Sequence, residues 1–177
     1  MRKYLNINLN DHSVSSEQLE GEAIIKAGRN FIVRSLLDAG AATVDPLSPE
    51  NPLIFSAGPF AGTNFSNANR ISVGCKSPLT GGIKEANAGG NPGQHLMKLG
   101  YRAVIVKGQP TDSDKRYGLR VEEESVTVVE ADDYKGLWNY ACCEKLLADE
   151  DKKASVISIG PAGEKLLTGS SVACTDQ

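Results

Sequence analysis

The stretch NRISVGCKSPLTGGIKEANAGGNPGQHLMKLGYRAVIVKG, residues 69–108, decides the fold, because two β-type apolar runs flank a loop with almost no side chains. It holds eight of the chain's 18 glycines. The runs RISVGC and YRAVIVKG predict strands, and residues 92–99 between them predict a helix. The bare loop NAGGNPG, residues 87–93, is either a set of tight turns or a place where a ligand approaches the backbone.

Upstream of this stretch, the sequence predicts one strand and one helix. Residues 4–9, YLNINL, alternate apolar and polar side chains in the manner of a half-buried strand. Ser15 and Gln18 have the spacing of a capping box, so we expect a helix to begin there. Apolar residues at helical spacing follow, and Gly40 is a natural stop.

Downstream, further short β-type runs are separated by glycine, and YGLRVEEE with SVTVVE predicts a hairpin. Residues 136–148 predict a second helix beyond the glycine-rich stretch, with Leu137, Trp138, Ala141 and Leu146 facing inward. We therefore expect Trp138 in a core or an interface and not as a stacking platform for a cofactor. Many strands with few helices predict an α+β fold, a β-rich two-sheet domain with a few helices.

Composition narrows the function classes. The chain has 177 residues, 40% of them hydrophobic, and a net charge of −3 with a pI near 5.5. One or at most two compact domains are expected, with neither a nucleic-acid nor an anionic-membrane surface. No apolar run reaches the length of a membrane span, and the N-terminus lacks the apolar core of a signal peptide. The sequence therefore predicts a cytoplasmic protein.

No reactive side-chain constellation is evident. The four cysteines and two histidines lack the spacing of a zinc or iron–sulfur site, and serine-hydrolase, Walker A and dinucleotide motifs are absent. Arg70 stands out because it lies between a polar loop and a strand. There its guanidinium can donate two hydrogen bonds to a phosphate or carboxylate, although a lone arginine is also commonly a solvated surface residue.

Four segments, TVDPLSPENPLIFSAGPFAGT, CKSPLTGGIKEANAGGNPG, LGYRAVIVKG and ISIGPAGE, occur in this order between residues 43 and 164. Together they resemble the N-terminal domain of the tungsten-containing aldehyde:ferredoxin oxidoreductase family. The resemblance implies that residues 1–177 are the β-rich metallopterin-base domain. It also implies that they stop before the second cofactor-binding segment and the iron–sulfur domains.

The resemblance implies an oxidoreductase that converts an aldehyde and water to a carboxylic acid and passes electrons to ferredoxin. Tungsten, or sometimes molybdenum, is held by two pterins (molybdopterin or tungstopterin), and a [4Fe-4S] cluster is ligated outside this chain. The remaining domains or a separate subunit are then the partners, a homo-oligomer is compatible, and the 177-residue chain alone is expected to be inactive. The alternative is a non-catalytic relative that acts as a pterin-binding or assembly module.

The resemblance also assigns roles to individual residues. Arg70 matches the arginine beside the metal-pterin centre, and Gly89 with its neighbour Gly90 is assigned to cofactor contact. Asn87 matches the asparagine whose backbone carbonyl binds the Mg²⁺ that bridges the pterin phosphates. The sequence departs from the family at Asn69, where glycine is usual, and at Asn91-Pro92, where an aromatic often follows the glycine pair.

Overall fold

A computed structural model describes residues 2–123, 125–150 and 152–175 and has an α+β fold, as the sequence predicts. Its main sheet has the strand order β2-β1-β6-β3-β4-β5. Strands β1 and β6 are parallel, and every other neighbouring pair in this sheet is antiparallel. The six strands are β1 (Arg2–Asn8), β2 (Ser13–Leu19), β3 (Leu53–Ala57), β4 (Ile71–Lys76), β5 (Ile83–Ala88) and β6 (Tyr101–Lys107).

The remaining elements are small. Two antiparallel ribbons are formed by β7 (Tyr117–Val121) with β8 (Val126–Glu130), and by β9 (Ile157–Ile159) with β10 (Val172–Cys174). The predicted hairpin is therefore confirmed as β7–β8. The helices are α1 (Gly28–Asp38), α2 (Pro92–Lys98), α3 (Asn139–Asp149) and α4 (Pro161–Glu164), with 3₁₀ turns at Gly21–Ile25 and Asp132–Tyr134.

The main sheet is covered on both faces, which explains why the run YRAVIVK is almost continuously apolar. Ala103 and Ile105 of β6 belong to a core beneath α1, whereas Val104 between them belongs to a second core beneath α2. Successive side chains of a strand point to opposite faces, so a strand buried on both faces needs apolar residues at nearly every position.

Helix α1 packs unusually close to β4. Ile32 is fully buried at the centre of this contact. A Cβ built on Gly74 of β4 would lie 2.5 Å from Ile32 Cγ2 and 2.8 Å from the Lys84 carbonyl oxygen, so only glycine fits there. The helix ends before Gly40, whose φ of +74° supports the predicted stop signal.

The predicted capping box is wrong. Ser15 and Gln18 lie within β2, which pairs with β1 along its whole length, and α1 begins only at Gly28. Strand β2 is at the edge of the sheet, and only Leu19 of its residues is buried. Its polar sequence therefore carries little β signal, and pairing with β1 overrides the local helix pattern.

The helix predicted within residues 136–148 is present as α3, but its buried face is not the predicted one. Trp138 precedes α3 and its side chain is 76% exposed, so it does not lie in the core of this chain. Ala141 is exposed as well, and the buried residue is its neighbour Cys142. Because one residue turns a helix by about 100°, a face centred on Cys142 replaces the one expected from Trp138 and Ala141. Among all described residues, no helix has the length and apolar character needed to cross a bilayer.

Candidate functional site

Arg70 and Gly89 face each other at one end of the main sheet. The register of β4 and β5 pairs Ile71 with Ala88 and Ser72 with Asn87. Continuing it by one residue brings Arg70 opposite Gly89, and a Cβ built on Gly89 would lie 3.5 Å from Arg70 Nη1. The guanidinium therefore lies against a residue that has no side chain.

The backbone carbonyl of Asn87 points away from β4. In an antiparallel ladder the backbone groups of successive residues point alternately to the two sides. The Gly58 amide donates to the Arg70 carbonyl on the β3 side, and the Ser77 amide donates to the Gly82 carbonyl on the β5 side. The backbone groups of even-numbered β4 residues, Ser72 among them, therefore form their hydrogen bonds with β3 and not with β5. Asn87 is paired with Ser72, so its own carbonyl also points away from β4, to the outer side of β5. Since β5 is an edge strand, no strand of the described sheet donates a hydrogen bond to this carbonyl.

The Asn87 side chain points to the α1 face instead. Its Nδ2 donates to Ser72 Oγ at 3.1 Å. Ser72 Oγ in turn lies 3.6 Å from the position of a Cβ on Gly28, the first residue of α1. The Gly28 amide donates to Ser56 Oγ at 2.9 Å, so the buried Ser56 joins the start of α1 to β3, and the buried Ser72 of β4 lies beside this bond. The side chain of Asn87 thus holds the strand in place while its carbonyl stays available.

The backbone of Arg70 is confined by two glycines. Its carbonyl accepts a 2.9 Å hydrogen bond from the Gly58 amide, which closes the loop between these two residues. On the other side, a Cβ built on Gly93 would lie 2.6 Å from the same carbonyl oxygen. The first turn of α2 can therefore rest on the Arg70 peptide only because residue 93 is glycine. The Arg70 side chain itself is exposed, and no described residue forms a hydrogen bond or ion pair with its guanidinium.

The structure accommodates both departures from the family pattern. The Arg70 amide donates to the Ala68 carbonyl at 2.8 Å, which makes a γ-turn at Asn69 without a positive φ. Asn69 Oδ1 accepts from the Gly62 amide at 2.9 Å, so the side chain adds a bond that glycine could not make. Pro92 is the first residue of α2, where its missing N–H costs nothing, and Asn91 is the residue before it.

Gly90 and β10 border the same edge. Gly90 has a φ of +86°, a conformation that glycine adopts without strain. Cys174 Sγ of β10 lies 3.9 Å from the Gly89 carbonyl oxygen, so the second ribbon runs beside the loop. The structure therefore brings together all four residues named from the sequence, Arg70, Asn87, Gly89 and Gly90.

Three residues of this region received no individual role from the sequence, although Gly93 lies in the bare loop 87–93. Gly58 and Gly93 support the Arg70 peptide as described, and Arg102 donates from Nη1 to the Gly58 carbonyl at 2.6 Å. Arg102 carried a signal, since it is the one charged residue inside the apolar run of β6. Burial and the charge of Arg2 lower its pKa.

The site offers a cation and backbone groups but no triad. Ser155 Oγ lies 2.8 Å from His95 Nδ1, yet no described carboxylate forms a hydrogen bond with that ring. Within residues 2–123, 125–150 and 152–175, no group of three or more histidine, cysteine or acidic side chains could hold a metal ion. What the edge can do is bind: a guanidinium suits an anion, and an outward carbonyl suits a hard cation.

A family model and similar sequences agree on one protein family. A family model described as the N-terminal domain of aldehyde ferredoxin oxidoreductase matches residues 4–177. The tungsten-containing aldehyde ferredoxin oxidoreductase of Pyrococcus furiosus is 35% identical over 169 residues, and that of Pyrococcus abyssi is 38% identical over 168 residues. These alignments cover 93% and 92% of this chain but only 27% of each relative.

A solved structure shares the fold. The BamBC active-site complex of benzoyl coenzyme A reductase, solved with 1,5-dienoyl-CoA, superposes with a TM-score of 0.90 and 25% sequence identity. The match covers 97% of this chain and 26% of the other. In both comparisons the chain spans about a quarter of its relatives' length.

Proposed function

The chain belongs to the aldehyde ferredoxin oxidoreductase family, as its N-terminal domain, and from that premise we propose that it is the cofactor-base domain of a tungsten or molybdenum bis-pterin oxidoreductase. Arg70 would donate to a pterin phosphate. Gly89 and Gly90 would let the cofactor lie against the backbone, and the Asn87 carbonyl would be an oxygen ligand for Mg²⁺ at the phosphates.

One observation carries this proposal: the exposed Arg70 guanidinium lies against Gly89, at the same sheet edge from which the Asn87 carbonyl points outward. A phosphate needs donors, and a guanidinium is a strong one. Mg²⁺ prefers oxygen ligands, and a carbonyl not used by the sheet can supply one. Pairing an anion site with a hard-cation site at one edge fits a phosphate bridged by Mg²⁺.

The proposal assigns no catalytic role to the described side chains of this edge. When bound, a metal-pterin centre supplies the redox chemistry, and the protein supplies binding and orientation. The roles left to this chain are to hold the phosphates through Arg70, to keep the Asn87 carbonyl directed outward, and to leave space at Gly89.

The whole protein would oxidise aldehydes to carboxylic acids with ferredoxin as electron acceptor. That activity needs parts of the relatives that this chain does not span, including those expected to ligate a [4Fe-4S] cluster, so the 177-residue chain alone should be inactive. Its partners would be those remaining parts, ferredoxin and an aldehyde, in the cytoplasm.

The test is elemental analysis of the native assembly that contains this chain, purified without oxygen from cells given tungstate. We expect tungsten or molybdenum, together with iron, near stoichiometric with the chain. Arg70→Ala should reduce metal and pterin retention at least about tenfold, since a hydrogen bond to a charged group contributes about 1.5–3 kcal/mol. Arg34→Ala is the matched control, because Arg34 is an exposed arginine of α1 in a groove lined by Tyr4 and Leu19, at the opposite end of the strand order.

The alternative function is a non-catalytic pterin-binding or assembly module. An assembly that forms normally but contains neither tungsten nor molybdenum would favour it. Unchanged retention in Arg70→Ala would contradict the role given to this residue.

A further inference from the structure

Arg102 occupies a bulge where the main sheet changes register. Lys3 of β1 pairs with Tyr101 of β6, but the next residue of β1, Tyr4, pairs with Ala103. Arg102 therefore has no partner in β1. A bulge re-aims the side chain of its extra residue and is rare between parallel strands. Here it coincides with the one charged residue in the interior of β6.

The Arg102 side chain is buried and, among the described residues, has one hydrogen-bond acceptor. Arg102 is 3% exposed, and its Nη1 donates to the Gly58 carbonyl at 2.6 Å. Its Nε is buried and has no partner among the described residues. Burying a guanidinium is costly, and a short bond from a charged donor is among the strongest that a carbonyl can accept. Among the described residues, the buried Arg102 guanidinium therefore has one hydrogen-bond partner, the Gly58 carbonyl.

The Gly58 peptide connects Arg102 to the backbone of Arg70. Its carbonyl is held by Arg102, and its amide donates to the Arg70 carbonyl at 2.9 Å. Gly93 closes the other side of the same carbonyl, with no space for a Cβ. Arg102 lies near the charge of Arg2, whose Nη1 contacts Met97 Sδ of α2. The Gly58 peptide therefore links Arg102 to the Arg70 backbone.

We infer that Arg102 is a positioning residue for the cofactor edge. By fixing the Gly58 peptide it sets the path of the loop that closes at Arg70, and so fixes the direction in which the Arg70 guanidinium leaves the sheet. The structural part of this inference stands on the contacts of Gly58. Its functional meaning rests on the proposed function of Arg70.

Native-state hydrogen exchange on the full 177-residue chain tests the structural part. Arg102→Met keeps the apolar stem and removes the donor, and Arg102→Lys keeps a cationic donor in a different geometry. In Arg102→Met we expect the Gly58 amide to exchange at least about tenfold faster, which corresponds to about 1.4 kcal/mol. The Ser77 amide, at the other end of β4, is the internal control and should be unchanged.

Arg102→Lys should be intermediate, and it remains informative if Arg102→Met does not fold. Exchange of the Gly58 amide within about twofold of the wild type would overturn the inference, because Arg102 would then not restrain this peptide. An equal rise at the Ser77 amide would also overturn it, because the change would then reflect general destabilisation.

A second measurement separates this inference from the proposed function. In the native assembly, Arg102→Met should reduce tungsten and pterin retention less than Arg70→Ala, with partial recovery in Arg102→Lys. If Arg70→Ala retains the cofactor fully, the proposed role of Arg70 fails, while the exchange result still decides whether Arg102 restrains the Gly58 peptide. If Arg70→Ala loses the cofactor and Arg102→Met keeps all of it, Arg102 does not position the site.

Discussion

Replacing Gly93 with alanine should push α2 away from the Arg70 peptide. The new Cβ would lie 2.6 Å from the Arg70 carbonyl oxygen, 2.8 Å from its carbonyl carbon and 3.3 Å from the Ile71 nitrogen. Close carbon–oxygen contacts in proteins are about 3.3–3.6 Å. The helix or the turn must therefore move by roughly 0.7–1 Å, and neither can do so by rotating a side chain, because all three contacting atoms belong to the backbone.

The size of the effect follows from two opposing contributions. Overpacking in a well-packed region costs about 1–3 kcal/mol. Alanine is a better helix former than glycine by up to about 1 kcal/mol, and residue 93 lies within α2. We therefore expect Gly93→Ala to lower the free energy of unfolding by about 1–2 kcal/mol, or by roughly 2–8 °C in Tm for a chain of this size.

Gly82→Ala is the matched control for this prediction. Gly82 does not have a positive φ, and a Cβ there would approach only Thr80 Oγ1, at 3.9 Å. Urea unfolding of both variants, followed by circular dichroism, should leave Gly82→Ala within about 0.5 kcal/mol of the wild type. If Gly93→Ala is equally stable, the close approach of α2 to Arg70 is not a feature of the folded protein.

Three further predictions concern the scaffold. Gly74→Ala should cost about 1–3 kcal/mol in urea unfolding because its Cβ would lie 2.5 Å from Ile32 Cγ2, and the cost should be smaller in an Ile32→Ala background, which lacks that methyl group. Asn51→Ala should lower the free energy of unfolding by about 1–3 kcal/mol, since the Asn51 side chain forms hydrogen bonds with both the amide and the carbonyl of Lys76 at the end of β4. The pKa of Tyr4 is raised to about 12, first by burial and then by its hydrogen bond to Glu17, so nuclear magnetic resonance should find its ionisation well above pH 10, and Glu17→Gln should lower it. The stability linked to Tyr4 is fully present below about pH 10 and is lost between about pH 10 and 12; a normal ionisation near pH 10 would contradict this contact.

The sequence predicts those parts of the fold in which burial dictates composition. The apolar run of β6 is recognisable because both of its faces are covered. Edge strands β2 and β5 carry no such pattern, since most of their residues are exposed. Pairing with β1 and β4 determines them, and a single sequence does not contain that information in local form.

The site could be anticipated only in its residue types and not in its geometry. Arg70 and the bare loop are visible in the sequence, but their opposition depends on the register that pairs Ser72 with Asn87. A shift of one residue would turn the Asn87 carbonyl inward and move its side chain to the other face. Arg102 is harder still to assign, because its role depends on a bulge between strands nearly one hundred residues apart.

At positions where another part of the chain closely approaches the backbone, space limits which residues are tolerated. Asn69 stands where the resemblance leads us to expect glycine, yet its φ is not in the left-handed region and its side chain accepts a hydrogen bond from the Gly62 amide. Gly93 has no such freedom, since any Cβ meets the Arg70 carbonyl. Residues 69 and 93 therefore differ in what they permit, because a Cβ at residue 93 would meet the Arg70 peptide plane. Under the proposed function, this edge would bind through the Arg70 guanidinium and through the backbone of residues 87 and 89, so binding would depend on where that backbone lies as well as on one side chain.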